Sequence, residues 1–222
     1  MEASQGFIAT LQHHWTGGGF WMYPIAIALV FAIAITIDRM IALFFKYKTD
    51  KDAFVSGMTQ YVLAGDLAGA VKFVSSQPPT PLTNIVKAGL LNVHASDEVV
   101  QSAIDEASLR EMPKIEKRTG YLAMIGNIGM LMGLLGTIAG LITCFAAVSK
   151  PGVDPALKSL ILADGIAEAM NCTAFGLITA IPALVAFAIL NGRTQHMVDE
   201  INETSVTVLN LIVNNRDKLK VS

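Results

Sequence analysis

Two acidic residues stand one turn apart at the start of an otherwise apolar stretch. That stretch, residues 162–190, reads LADGIAEAMNCTAFGLITAIPALVAFAIL and holds Asp164 and Glu168. At about 100° per residue, Asp164, Glu168, Cys172, Phe175 and Thr179 share one helical stripe. Ala169, Thr173, Gly176, Ala180 and Ala183 form a second stripe, roughly 140° from Glu168 at Thr173. One face carries acids and hydroxyls; the other is almost entirely small, with a single hydroxyl. A helix with two such faces must be surrounded by protein or border a pore. Ionisable groups inside a membrane are functional candidates by default. Glu168 is that candidate, whereas Asp164 reads as an interfacial cap. Pro182 removes one helix hydrogen bond, frees the Ile178 carbonyl and permits a kink.

A second apolar stretch, YLAMIGNIGMLMGLLGTIAGLITCFAAV (121–148), contains no charged residue. Its glycines, Gly126, Gly129, Gly133, Gly136 and Gly140, recur at intervals of 3, 4, 3 and 4. In lipid no hydrophobic force drives helices together, so close backbone approach and hydrogen bonds do. The seam therefore predicts a tight helix–helix contact. Gly176 is a further packing candidate, in a small stripe (Ala169, Thr173, Gly176, Ala180) that suits a wall against which another helix can turn or slide. Thr137 lies beside the seam; a lone membrane threonine usually bonds its own helix backbone.

Catalytic chemistry is not encoded. Gly17, Gly18 and Gly19 lack the GK[ST] that a phosphate-binding loop needs. His13, His14, His94 and His196 are scattered without metal-ligand spacing, and no nucleophile–base set is present. Cys144 and Cys172 both lie in apolar stretches, too few for a disulfide framework or a zinc site. The chain is expected to be no enzyme and to carry no cofactor.

These side chains must be positioned by membrane helices. Of 222 residues, 53% are apolar and 15% charged, against about 25% charged in soluble domains. Sixteen Lys and Arg against eighteen Asp and Glu give a net charge of -2, a balance that gathers no nucleic acid. A span needs roughly 20 apolar residues. The expected organisation is an outer N-terminal segment (1–20), a first span (21–45), a cytoplasmic helical region (46–120), a second span (121–148), a periplasmic connector (149–161), a third span (162–190) and a cytoplasmic C-terminal helix (191–222). The N-terminus, MEASQGFIATLQHHW, lacks the features of a cleaved signal.

Basic residues flank the cytoplasmic side: Lys46, Lys48, Lys51, Lys114, Lys117, Arg118 and Arg193, against Lys150 and Lys158 in the connector. The N-terminus is thus outside and the C-terminus inside, with Trp15, Trp21 and Tyr23 in the outer aromatic belt. Asp38-Arg39 interrupts the first span, at a cost of about 2.5–3.5 kcal/mol for a charge at mid-bilayer. Arg39 snorkels inward or the span starts earlier, near Gly19; the alternative is a buried functional pair.

Between the first two spans, helical spacing over 51–77 breaks at Gly65-Asp66, and Pro78, Pro79 and Pro81 end that helix pair. Ser96 is a candidate N-cap followed by Asp97 and Glu98. From there the pattern runs past Pro113, which kinks the helix or begins a new one. In the tail, Val198, Ile201, Val208, Ile212 and Leu219 form an a/d stripe, with Ser205 and Asn215 in its gaps. The third span is expected to continue into this helix and pack against copies or neighbours.

The segments GLLGTIAGLITCF (133–145) and LADGIAEAMNCTAFGLITAIPALVAF (162–187) closely resemble the MotA/TolQ/ExbB proton-channel family, as does the order of features along nearly the whole chain. The resemblance implies an all-α bacterial inner-membrane protein, a homopentamer around a dimer of a single-span partner of ExbD/TolR/MotB type whose aspartate is essential. Thr137 and Thr173 match the family's pore threonines and Glu168 its pore glutamate. They would line the ion route beside the partner's carboxylate, with Glu168 tuning the field or relaying a proton near the outer end. No acid lies at the middle of any span, so the ion-binding carboxylate must come from elsewhere. The hydroxyls suit H+ or Na+, and the resemblance favours H+. Three spans favour the TolQ/ExbB type over four-span flagellar stators. The implied work is TonB-type uptake, Tol-type envelope maintenance or gliding. Asp164 stands where many relatives carry proline. The alternatives are a passive membrane scaffold, which leaves Glu168 without a purpose, and a small secondary transporter, for which three dissimilar spans lack an inverted repeat.

Overall fold

The computed structural model describes residues 19–47, 49–152 and 154–216. The expectations for residues 1–18, including Trp15, and for Lys48 and Leu219 lie outside that range. The described residues form helices without a strand: α1 (Met22–Ile41), prolonged by a π-helical turn (Ala42–Lys46), α2 (Lys51–Leu63), α3 (Leu67–Ser76), α4 (Pro81–Leu91), α5 (Asp97–Glu116), α6 (Thr119–Val148) and α7 (Pro155–Asn214). Three of them are long and apolar enough to cross a bilayer. At 1.5 Å per residue, α6 spans about 45 Å and α7 about 90 Å, against about 30 Å of hydrocarbon. The third span and the tail are therefore one helix. It starts at Pro155 rather than near 162, and Asp154 caps it, its carboxylate accepting from the Ala156 N–H at 2.9 Å. Asp164 lies in the third turn, where it caps nothing.

The chain divides into two compact units. One comprises the described residues up to Ile37 with Thr119–Ala188; the other comprises Asp38–Arg118 with the tail from Ile189. In the first, large apolar side chains such as Phe31, Leu131, Ile142 and Ile181 stay exposed, as lipid- or partner-facing residues must.

The second unit is assembled by local signals. Asp50 and Asp66 cap α2 and α3 through the N–H groups of Ala53 (3.1 Å) and Gly69 (2.7 Å). Gly65, at φ +76°, makes the break between them. Thr80 and Thr83 form a capping box with Pro81 at the start of α4. Ser96 sits at the N-cap position of α5 but makes no capping bond. The tail's stripe does not stay free for a coiled coil: Ile201, Val208 and Ile212 are buried within the unit, Ile212 beside Gly89 and Ile104.

Pro113 does not stop α5. The helix runs to Glu116, and the Pro113 carbonyl accepts from the Lys117 N–H at 3.0 Å. The break falls at Arg118, whose φ of +68° is left-handed, a conformation costing about 1–2 kcal/mol for a residue with a β-carbon. Asp38 accepts from Arg118 Nη1 at 3.2 Å and from Arg39 Nε at 3.3 Å. Arg39 does not snorkel into water: it is 5% exposed, and Nη1 reaches the Ile115 carbonyl at 3.5 Å.

Candidate functional site

The glycine seam of α6 lies along α7, antiparallel to it. A β-carbon built at Gly126 would meet Leu184 and Ala180, at Gly129 Thr179, at Gly133 Cys172, Thr173 and Gly176, at Gly136 Cys172, and at Gly140 Ala169. At Gly133 it would stand 3.0 Å from the Cys172 carbonyl oxygen and 3.2 Å from Gly176 Cα; at Gly176, 2.9 Å from the Gly129 carbonyl oxygen. No side chain intervenes, so the two backbones are in direct van der Waals contact.

This packing answers what the small stripe of the third span touches. Ala169, Thr173, Gly176 and Ala180 meet the chain's own second span. The stripe is not an open wall along which another helix could slide. Two complementary rows of small residues on antiparallel neighbours pair with each other first.

Thr173 sits at the edge of this contact, half-buried, its hydroxyl donating to the Gly133 carbonyl at 3.4 Å. Thr137 is also half-buried and donates to the Leu134 carbonyl of its own helix at 2.6 Å. Gly136 faces Cys172, and Thr137 and Thr173 follow them in opposite directions on antiparallel helices, so the two residues lie within about one turn of each other along the pair. Glu168 precedes Ala169, which faces Gly140, about one turn from Gly136. Each hydroxyl, having donated its proton to a carbonyl, keeps oxygen lone pairs free to accept. Such groups can hold water or a cation without carrying charge.

The other stripe of α7 turns toward α1. The Glu168 carboxyl abuts Gly19, and Cys172 shares the Gly136 contact with Trp21. Thr179 is fully buried, its hydroxyl without a hydrogen-bond partner. It lines a cavity of about 160 Å3 with Leu29, Ala32, Ile33, Thr36 and Pro182. Pro182 thus sits at this cavity rather than at the threonine level. Asp164 is exposed and takes no part. Sequence reasoning placed Thr179 on the Glu168 stripe but gave it no role, and read Gly19 as part of a failed phosphate loop and as an alternative start of the first span. The three-turn spacing from Glu168 to Thr179, which returns the chain to the same helical face, was the signal available for Thr179; nothing tied Gly19 to Glu168. Among the described residues no cluster of His, Cys, Asp or Glu has the makings of a metal site.

Residues 77–203 match the MotA/TolQ/ExbB proton channel family. The chain is 35% identical over 106 residues to the Tol-Pal system protein TolQ of Haemophilus influenzae, covering 46% of this chain and 45% of that one. It is 28% identical over 178 residues to the biopolymer transport protein ExbB of Pseudomonas putida, covering 70% and 51%. The chain thus spans about half the length of these relatives. A solved structure of C. jejuni MotAB has a similar fold, with a TM-score of 0.61 at 14% identity over 91% of this chain and 80% of that one. The family match includes the seam, Thr137, Glu168 and Thr173; α1 lies outside it.

Proposed function

The chain belongs to the MotA/TolQ/ExbB proton channel family, and from that membership we propose that it is the multi-span subunit of an ion-driven motor in the envelope. It is a multi-pass protein of the inner membrane. In this reading it carries its N-terminus outside and its C-terminus in the cytoplasm, and five copies surround two helices of a single-span ExbD/TolR/MotB-type partner. The partner supplies the aspartate that binds and releases the ion. This chain supplies hydroxyls beside that carboxylate at Thr137 and Thr173, and a carboxylate, Glu168, about one turn away. It performs no covalent chemistry and uses no bound cofactor; the ion, H+ in preference to Na+, is its only cargo.

The observation that carries the reading is the pair of threonine hydroxyls within about one turn of each other on a helix pair welded by a glycine seam. The weld makes a rigid wall, and the hydroxyls offer neutral oxygen ligands on it. A proton crossing 100 mV releases about 2.3 kcal/mol, and each pH unit adds about 1.36 kcal/mol. Neutralising the partner's aspartate removes its charge and changes its favoured position against that wall. Repeated protonation and release then turn one set of subunits relative to the other. The three-span organisation favours the TolQ/ExbB branch and work on uptake, envelope maintenance or gliding.

Native mass spectrometry of the complex, co-expressed with the single-span protein encoded beside it, tests this assembly. Five copies of the 23.7 kDa chain with two partner chains support it. A monomer or dimer that ignores the partner in gentle detergent sinks it and favours the passive scaffold.

A further inference from the structure

We propose that Gly19 is a positioning residue for Glu168: the turn that starts the first span sets where this carboxylate stands. The proposal rests on the reading of Glu168 as part of the ion route and adds a determinant outside the part of the chain that matches the family.

Two independent features fix the turn. Gly19 has φ +63°, a left-handed conformation that favours glycine. A β-carbon at Gly19 would overlap Glu168 Oε1 and stand 3.0 Å from its Cδ. Only a residue without a side chain lets the backbone lie flat against this carboxyl. The turn is also held from its other side. Trp21 Cβ would be 3.2 Å from a β-carbon at Gly136, beside Cys172, and the Met22 N–H bonds back to the Gly19 carbonyl at 3.4 Å. Glycine on α6 seats the turn, and glycine in the turn admits the glutamate.

The contact has a steric consequence for the carboxyl. Glu168 is exposed and has several rotatable bonds, each with staggered wells, so without this contact its carboxyl would have many positions open to it. With it, the backbone of the turn bounds the carboxyl on one side. A displacement of about 1 Å in a group that handles an ion can cost about 100-fold in rate.

The test measures ion flux through the complete complex, in vesicles with the partner, as a function of pH. Gly19→Ala is expected to assemble, to lower flux about tenfold or more and to move the midpoint of the pH profile. Adding Glu168→Asp, which draws the carboxyl back by one methylene, is expected to recover much of that loss. Wild-type flux and pH profile in Gly19→Ala would overturn the proposal. So would a loss that Glu168→Asp leaves unrelieved, because backbone strain alone would then explain it. Should Gly19→Ala fail to assemble, Glu168→Asp by itself must shift the pH midpoint, and an unmoved midpoint overturns the proposal. Glu168→Gln separates the two levels. Wild-type flux in it removes Glu168 from the route; a dead Glu168→Gln beside a normal Gly19→Ala refutes only the role of Gly19.

Discussion

The Thr173 hydroxyl donates to the carbonyl of Gly133 on the neighbouring span, 3.4 Å away. A side chain that matches a pore hydroxyl of the family is thus also a tie between two helices. Interhelical hydrogen bonds in membranes contribute about 0.6 kcal/mol on average, so this tie is minor for stability. The proposed role in ion passage and the observed role in packing can therefore be separated.

Thr173→Val keeps the shape and removes the hydroxyl. The complex is expected to assemble with a thermal midpoint near that of the wild type, at a cost of about 0.6 kcal/mol, while ion-driven activity is lost. Size-exclusion chromatography and an activity assay on one preparation check both halves. An active Thr173→Val removes the hydroxyl from the route.

The glycine seam makes two substitutions of one kind act in opposite directions. Gly176→Ala places a methyl 2.9 Å from the Gly129 carbonyl oxygen and 3.0 Å from Gly133 Cα. Both obstacles are backbone and cannot rotate away, so a loss of about 1–3 kcal/mol is expected. Gly192→Ala, further along α7, meets nothing within 4 Å and is expected to gain about 1 kcal/mol from helix propensity. Thermal unfolding of the two variants in one detergent shows the difference in sign.

Arg216 near the end of α7 holds the loop between α4 and α5. Its Nε donates to the Val93 carbonyl at 3.2 Å, Nη2 donates to the Ala95 carbonyl, and Nη1 pairs with Asp97. Arg216→Ala is expected to destabilise this region by about 1.5–3 kcal/mol. Faster amide exchange confined to residues 92–97 and the tail is the readout; unchanged exchange contradicts the clamp.

At the start of α2, the Glu203 carboxylate accepts a 2.6 Å hydrogen bond from Lys51 and holds the ammonium above its ordinary pKa. A raised lysine stabilises the fold fully below its unfolded value of about 10.4, and the contribution vanishes as pH rises through the folded value. The gap in thermal midpoint between wild type and Lys51→Gln is expected to be small, to persist at neutral pH and to close only in strong alkali. Salt is expected to shrink it, as for any exposed pair.

The membrane helices were legible because their signals are one-dimensional. An uncharged run and a 3-4-3-4 row of glycines require only helical geometry to interpret. The pairing of that row with Ala169, Gly176 and Ala180 was not legible, since a small stripe does not declare which neighbour fills it; it was read as open for a partner. The tail's stripe was expected to pack against copies or neighbours, and Ile201, Val208 and Ile212 are buried by helices of the same unit. The break at Lys117–Arg118 carried no glycine, and proline at 113 drew attention one turn too early. Gly19 meets Glu168 across a sequence separation that no periodicity spans.

In the proposed motor, Thr137, Thr173 and Glu168 line an ion route completed by a partner's carboxylate. The most direct measurement is proton flux into vesicles holding this chain alone, the partner alone, both together, and both with Thr173→Val. Flux is expected only from the intact pair, and its loss on removal of one hydroxyl. Flux from this chain alone, or an undiminished rate in Thr173→Val with the partner present, would contradict the account.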